Sequence, residues 1–222
     1  MIRNLLVSET ILQEQYKLIT EGWLYQTNLT GDIMKYDYRY SSLYDSPAYS
    51  SNPISQIRFN FCTDNIGWFE SVLDVGYGNG SFLKYCRDMN VDSYGHDISD
   101  YPVPENVTRV DDISIDVELV TFFDCIEHFP QEDIESILLK LKCKYLCISL
   151  PWCHFTDDLN KFENWKHRKP NEHFHHFDQR GLTALMNKAN FDVVVCGSPE
   201  DEVRKNYGKL PNILTMIGKK RG

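Results

Sequence analysis

Long hydrophobic runs are missing from this sequence of 222 residues. No stretch of 18 apolar residues occurs, so no segment is expected to span a bilayer. The opening run, Met1–Glu9, is too short in apolar residues for a secretory leader and carries no cleavage pattern. Positive charge is also scarce: 23 Lys and Arg stand against 32 Asp and Glu, a net charge of −9. A protein working through nonspecific phosphate contacts needs the opposite sign. The basic clusters, 166–169 and 219–221, read as solvated surface. The seven cysteines include no Cys-x-x-Cys pair, which argues against zinc and disulfide scaffolds and for reduced thiols in a cytoplasmic setting. Repeats and low-complexity segments are absent as well. What is present, 42 % apolar and 25 % charged residues, is near the globular average. The length allows one large domain, or one with a short appended segment.

The chain changes texture along its length. In 1–52, Ser8 can cap a helix over 9–20. An aromatic, turn-rich stretch follows, with Trp23, Tyr25, Tyr36, Tyr38, Tyr40, Tyr44 and Tyr49. It reads as a lid segment on a main domain over 53–222. A helix is predicted over 54–66, and from about 71 strands and helices alternate. The strands fall at 72–75, 93–96, 107–110, 118–123, 144–150, 191–196 and 213–217, the helices at 82–89, 131–142 and 179–189. Such alternation predicts an α/β domain with a mostly parallel sheet and helices on both faces.

The sharpest local signal is Leu73-Asp74-Val75-Gly76-Tyr77-Gly78-Asn79-Gly80. A strand runs into a glycine turn that opens a helix, and a ligand can lie against bare N–H groups there. The spacing fails the dinucleotide fingerprint Gly-x-Gly-x-x-Gly, and no Gly-Lys-Ser/Thr exists for a phosphate loop. Asp74, just before the turn, repels a pyrophosphate but suits a cationic ligand head. Asp97 follows the turn by about 20 residues at a strand end, where an acid accepts from a ribose diol.

An adenosine with a positively charged tail is S-adenosylmethionine, and residues 73–80 resemble the first motif of the class I S-adenosylmethionine-dependent methyltransferases. The resemblance covers roughly 53–197, more weakly to 218. It implies a Rossmann-like seven-stranded sheet whose last strands are 191–197 and 212–218. It also implies that Gly76, Tyr77, Gly78 and Gly80 cradle the methionine portion and that Asp74 helps hold its amino group. Asp97 takes the ribose, Ile98 packs on adenine, and Asp112, with Asp111 as an equal rival, meets the adenine amine. Phe123 and Asp124 lie along the transferable methyl.

A second signal ends the fourth strand. Asp124, Glu127 and His128 are spaced i, i+3, i+4, on one side of any helix that starts there. Two carboxylates and an imidazole can hold a divalent cation or act as a base. Glu127-His128 resembles the Glu-His pair of ubiquinone-biosynthesis O-methyltransferases and of small-RNA 2′-O-methyltransferases. That likeness implies a metal such as Mg²⁺ on Asp124, Glu127, His128 and His173, with Asp124 standing where those families carry Glu. The catalytic candidates are His128, His173 and Asp124; the plain structural alternative has Glu127 and His128 bracing the loop. The aromatic, His-rich stretch 152–177, starting with Trp152 after Pro151, is expected to help roof the pocket. The expected activity is methyl transfer to a hydroxyl of a small metabolite. An RNA-end acceptor, or a cofactor-binding protein without turnover, are the alternatives.

Overall fold

The computed structural model describes residues 14–29, 31–42, 52–130, 134–204 and 208–222. Two sheets are formed among the described residues. The smaller is antiparallel: β1 (Tyr16–Thr20) pairs with β2 (Trp23–Gln26), and β2 pairs with β8 (His175–Phe177). The larger has seven strands, β3 (Ser71–Val75), β4 (Asp92–His96), β5 (Thr108–Arg109), β6 (Asp116–Phe123), β7 (Lys142–Pro151), β9 (Phe191–Gly197) and β10 (Ile213–Lys220). Their spatial order is β5-β4-β3-β6-β7-β10-β9. All neighbours pair in parallel except β10, which runs antiparallel to both β7 and β9.

The helices are α1 (Tyr38–Ser42), α2 (Asn52–Ile66), α3 (Ser81–Asp88), α4 (Glu135–Leu139), α5 (Leu159–Glu163) and α6 (Gln179–Lys188). Successive strand residues point to opposite faces, and each face has its own core. Val120 and Phe122 of β6, with Leu146 and Ile148 of β7, meet Leu138 of α4 and Leu182 and Leu185 of α6. Leu119, Phe123 and Cys147 meet Phe59 and Cys62 of α2 and Phe82, Leu83 and Cys86 of α3. Towards the carboxyl ends of the parallel strands this second face turns polar: Asp74, Thr121, Ser149 and, from the amino end of antiparallel β10, Thr215 are all buried.

Two element expectations are corrected. Residues 16–20, assigned to a helix over 9–20, are strand β1; pairing with β2 overrides the local helical pattern, and 9–13 lie outside the described residues. The helix expected over 131–142 is the shorter α4, because Lys142 already belongs to β7, and 131–133 lie outside the description. The first segment is tied to the rest of the chain, since β2 pairs with β8, whose residues follow their partners by 150 to 154 positions.

Candidate active site

A cavity of about 610 Å³ opens at the carboxyl ends of β3, β4 and β6, the position at which open α/β sheets bind ligands. Its floor is the glycine turn. Gly76 (φ 76°) and Gly78 (φ 56°) both hold left-handed backbone, which disfavours any side chain. At Gly76 an added Cβ would lie 2.3 Å from Cys125 Sγ. At Gly78 it would meet no protein atom within 4 Å, so that glycine leaves open a space a ligand can fill. Asp97 is tied to the turn: it accepts from the Gly78 N–H at 2.9 Å and the Ser99 N–H at 2.7 Å. A carboxylate has about four acceptor sites, so capacity remains for a diol. Ile98, 78 % exposed, Asp111, Asp112 and Ile113 continue this wall. Asp112 accepts from the Ser114 N–H and hydroxyl, which lowers its pKa.

Several expected cofactor contacts lie behind the wall. Asp74 is 3 % exposed and accepts from Thr121 Oγ1 at 2.6 Å. Burial pushes its carboxyl up to about 7. Tyr77 is buried, with its hydroxyl on the Tyr101 carbonyl and receiving Arg109 Nη1 at 2.8 Å. Phe123 packs edge-on against Phe82 and under the Arg58 guanidinium, 4.3 Å from the ring. Gly80 faces the Pro104 ring. Of the expected cofactor residues, the cavity is lined by Gly76, Gly78, Asp97, Ile98, Asp112 and Asp124.

The expected four-ligand cluster is rearranged. Asp124 takes a left-handed conformation (φ 49°), and no helix begins at it. Its Oδ2 accepts from Arg58 at 2.8 Å and from Arg204 at 2.6 Å. Burial alone would raise its pKa, but the Arg204 and Arg58 charges hold it down to about 2. Both arginines also reach the fully buried Glu200, which accepts from Ser149 as well. Asp124 is thus committed to a polar network on one sheet face.

Glu127, His128 and His173 do come together, each offering a ligand atom within 4.8 Å of the others. The 3-10 turn Ile126–His128 and the segment just before β8 are joined by the Phe174 N–H donating to the Glu127 carbonyl at 2.7 Å. Glu127 is 1 % exposed, and neither carboxylate oxygen has a hydrogen-bond partner among the described residues. Burial, with Asp124 adding to it, raises its pKa well above the usual carboxylate range. His128 Nδ1 lies 2.9 Å from the Glu172 carbonyl and His173 Nδ1 2.8 Å from the His167 carbonyl. A carbonyl only accepts, so both protons sit on Nδ1 and both Nε2 atoms keep their lone pairs. Burial, then the His128 and His176 charges, lowers the His173 pKa to about 2; burial lowers that of His128 too. His128 lines the cavity, whereas Glu127 and His173 stand behind it.

The roof comes from the aromatic segment. Tyr36, Tyr40 and Ser41 line the cavity. The Tyr36 oxygen is 2.5 Å from His128 Nδ1, and Ser41 Oγ donates to Ser99 Oγ at 3.3 Å, so the segment bridges both ends of the cavity. Tyr44 and Tyr49 lie outside the described residues. The stretch 152–177 does not roof it: Trp152 stacks on His154, 5.0 Å between centroids, and bridges to Phe177. Sequence reasoning missed Arg58 and Arg204, lone arginines with no local signal, and His96, Cys125, Phe129, Pro130, Ile137 and Lys140 in the lining.

A model of the methyltransferase domain family matches residues 50–195. The chain belongs to the class I S-adenosylmethionine-dependent methyltransferases. Among solved structures it is similar to 1,6-didemethyltoxoflavin-N1-methyltransferase of Burkholderia thailandensis, bound to its substrate and S-adenosylhomocysteine. That match has 16 % identity over 94 % of this chain and all of the other, with a TM-score of 0.57. It is also similar to an S-adenosylmethionine-dependent methyltransferase of Clostridium acetobutylicum (11 % identity, 83 % and 98 % covered, TM-score 0.60). A third is magnesium protoporphyrin IX methyltransferase of Synechocystis with bound S-adenosylhomocysteine (14 %, 83 % and 97 %, TM-score 0.55). At these identities the likeness establishes the fold. No curated protein matches the sequence.

Proposed function

We propose that this protein is an S-adenosylmethionine-dependent methyltransferase acting on a hydroxyl of a small molecule. The observation that carries the reading is Gly78, left-handed, on the cavity floor and with open space where a side chain would stand, beside the Asp97 carboxylate. The cofactor, when bound, supplies a methyl on a sulfonium. The chain's own part is alignment: the turn and Asp97 hold the adenosine and amino-acid portions, and the roof at Tyr36, Tyr40 and Ser41 excludes water. Residues 31–42 serve as the lid proper. In calorimetry with S-adenosylhomocysteine, Asp97→Ala loses affinity by about 1–3 kcal/mol, since hydroxyls are left unpaired in a closed site. Gly78→Val loses binding outright. Wild-type affinity in both variants would sink the assignment.

A divalent cation at Glu127, His128 and His173 is the second element. The unpartnered buried Glu127 carboxylate favours it, because a buried charge without a counter-charge is costly. These residues would hold the ion, which would lower the pKa of an acceptor hydroxyl at the His128 end of the cavity. Asp124 serves this cluster from outside, as the arginine-bound residue that follows β6. Mn²⁺ and Mg²⁺ are expected to raise the thermal midpoint of the wild type and leave that of Glu127→Gln unmoved. Identical responses in the two proteins would remove the metal from the proposal.

A further inference from the structure

The charges behind the Asp124 wall form a network with one end on the cavity. Two guanidiniums, Arg58 from α2 and Arg204 from the connection between β9 and β10, face two carboxylates, Asp124 and Glu200. Glu200 lies in the 3-10 turn Pro199–Asp201 and is fully buried. It accepts from Arg58 Nε at 2.7 Å, Arg204 Nε at 2.8 Å and Ser149 Oγ at 2.9 Å. Both arginine bonds to Asp124 fall on Oδ2. Burial works against each guanidinium charge, and the two carboxylates overcome it. Of the four side chains, only Asp124 lines the cavity. The network is neutral in sum but polar in arrangement, with a carboxylate on the ligand's side and the compensating charges behind it.

Glu200 maintains that balance. Two guanidiniums sharing Asp124 alone would leave this wall with a net positive charge, which repels a cation. Arg204 acts in the opposite sense, because without it one guanidinium would serve two carboxylates. The wall also stands close to the glycine turn. Cys125, next to Asp124, fills the space that a Cβ on Gly76 would need, and Asp97 is hydrogen-bonded to Gly78 in the same turn. With the ribose on Asp97, the rest of the cofactor crosses the turn toward Asp124. S-adenosylmethionine and S-adenosylhomocysteine differ by one methyl group and one positive charge. A unit charge about 10 Å away changes affinity by about tenfold at an effective dielectric of about 20, and salt reduces that figure.

We infer that Glu200 and Arg204 determine how the cofactor site discriminates between charged and neutral ligands: with Arg58 they set the charge of the Asp124 wall, Glu200 favouring the sulfonium of S-adenosylmethionine and Arg204 opposing it. The inference rests on the cofactor reading and adds to it two specificity residues that do not line the cavity.

The test is calorimetric binding of S-adenosylmethionine and of S-adenosylhomocysteine to the full chain, read as the ratio of the two affinities. Arg204→Gln is expected to shift the ratio at least threefold toward S-adenosylmethionine, and Glu200→Gln at least threefold the other way. Arg204→Lys keeps the charge and loses the fork of donors; its ratio is expected to stay within twofold of wild type. Arg204, with its side chain 29 % exposed, is the safer site, since Glu200 is buried and Arg58 also acts on Asp74. Should Glu200→Gln fail to fold, the two Arg204 variants decide. A merely structural network weakens both ligands alike. A ratio unmoved in Arg204→Gln, moved equally in Arg204→Gln and Arg204→Lys, or moved in the same direction in Arg204→Gln and Glu200→Gln, overturns this inference and leaves the cofactor reading standing. Wild-type protein that binds neither ligand overturns both.

Discussion

Asp74 shows how one residue can be set against the stability of the chain that holds it. It is buried in the polar row of one sheet face, where Thr121 donates to it and burial still lifts its carboxyl to about 7. Arg58 opposes that rise and Asp97 adds to it. In the unfolded chain an Asp titrates near 4. Between those values the folded state binds the proton more tightly, so stability is fully present below about pH 4 and falls as pH rises toward 7. The size is about 4 kcal/mol as an order of magnitude. Asp74→Asn keeps an acceptor for Thr121 and removes the charge. It is expected to be more stable than wild type at pH 8 and similar at pH 4.5, measured by urea unfolding. Equal stability at both pH values would show that Asp74 is not ionised at a cost. The same residue was legible in sequence as the acid before the glycines; its burial behind the cavity was not, because depth below a surface depends on the strands on either side.

At the scale of elements, the contact that fixes the small sheet is between two glycines. The β1–β2 hairpin turns at Gly22, whose carbonyl accepts from the Asp178 N–H at 2.8 Å. A Cβ on Gly181, in the first turn of α6, would lie 2.1 Å from the Gly22 oxygen. Asp178 caps α6 through the Arg180 and Gly181 N–H groups. Gly181→Ala therefore pushes the hairpin off the helix, at about 1–3 kcal/mol for overpacking of this kind. Hydrogen exchange is expected to show β2 and β8 losing protection while β3 and β6 keep theirs. Uniform protection in the variant would mean that the backbone absorbs the methyl group. The hairpin explains why residues 16–20 escaped their helical pattern: strand pairing with β2, and through it with β8, outweighs local propensity. Helices α3 and α6 were legible because their apolar residues repeat at helical spacing, whereas α2 has no clear apolar face and buries Ser55, Phe59 and Cys62.

At the scale of the molecule, ligand binding and stability are linked. The glycine turn, Asp97, the loop after β6 and the roof segment all border one cavity, so a ligand there holds distant parts of the chain in their folded positions. S-adenosylhomocysteine at 100 times its Kd adds about 2.7 kcal/mol. In a chain of this size that amounts to about 5–11 °C in Tm. Differential scanning fluorimetry over a range of concentrations is expected to show a midpoint rising with the logarithm of ligand. A midpoint flat across a thousandfold range would show that the cavity does not bind it.

The sequence alone determined the sheet, its parallel character and the ligand-facing turn, since these rest on short-range patterns: alternation along strands, helical spacing and glycines where side chains are excluded. It also brought Asp124, Glu127 and His128 under suspicion by their spacing, and His173 through the family resemblance. Tertiary structure decided which of the acids belong together. Asp124 is three residues from Glu127 but turns to Arg58 and Arg204, while His173 joins Glu127 from 46 positions away by number, beside the hydrogen bond from the Phe174 N–H to the Glu127 carbonyl. Side-chain direction at a loop follows from one backbone dihedral, here a φ of 49° at Asp124, and such an angle is set by the long-range partners that a linear pattern does not contain.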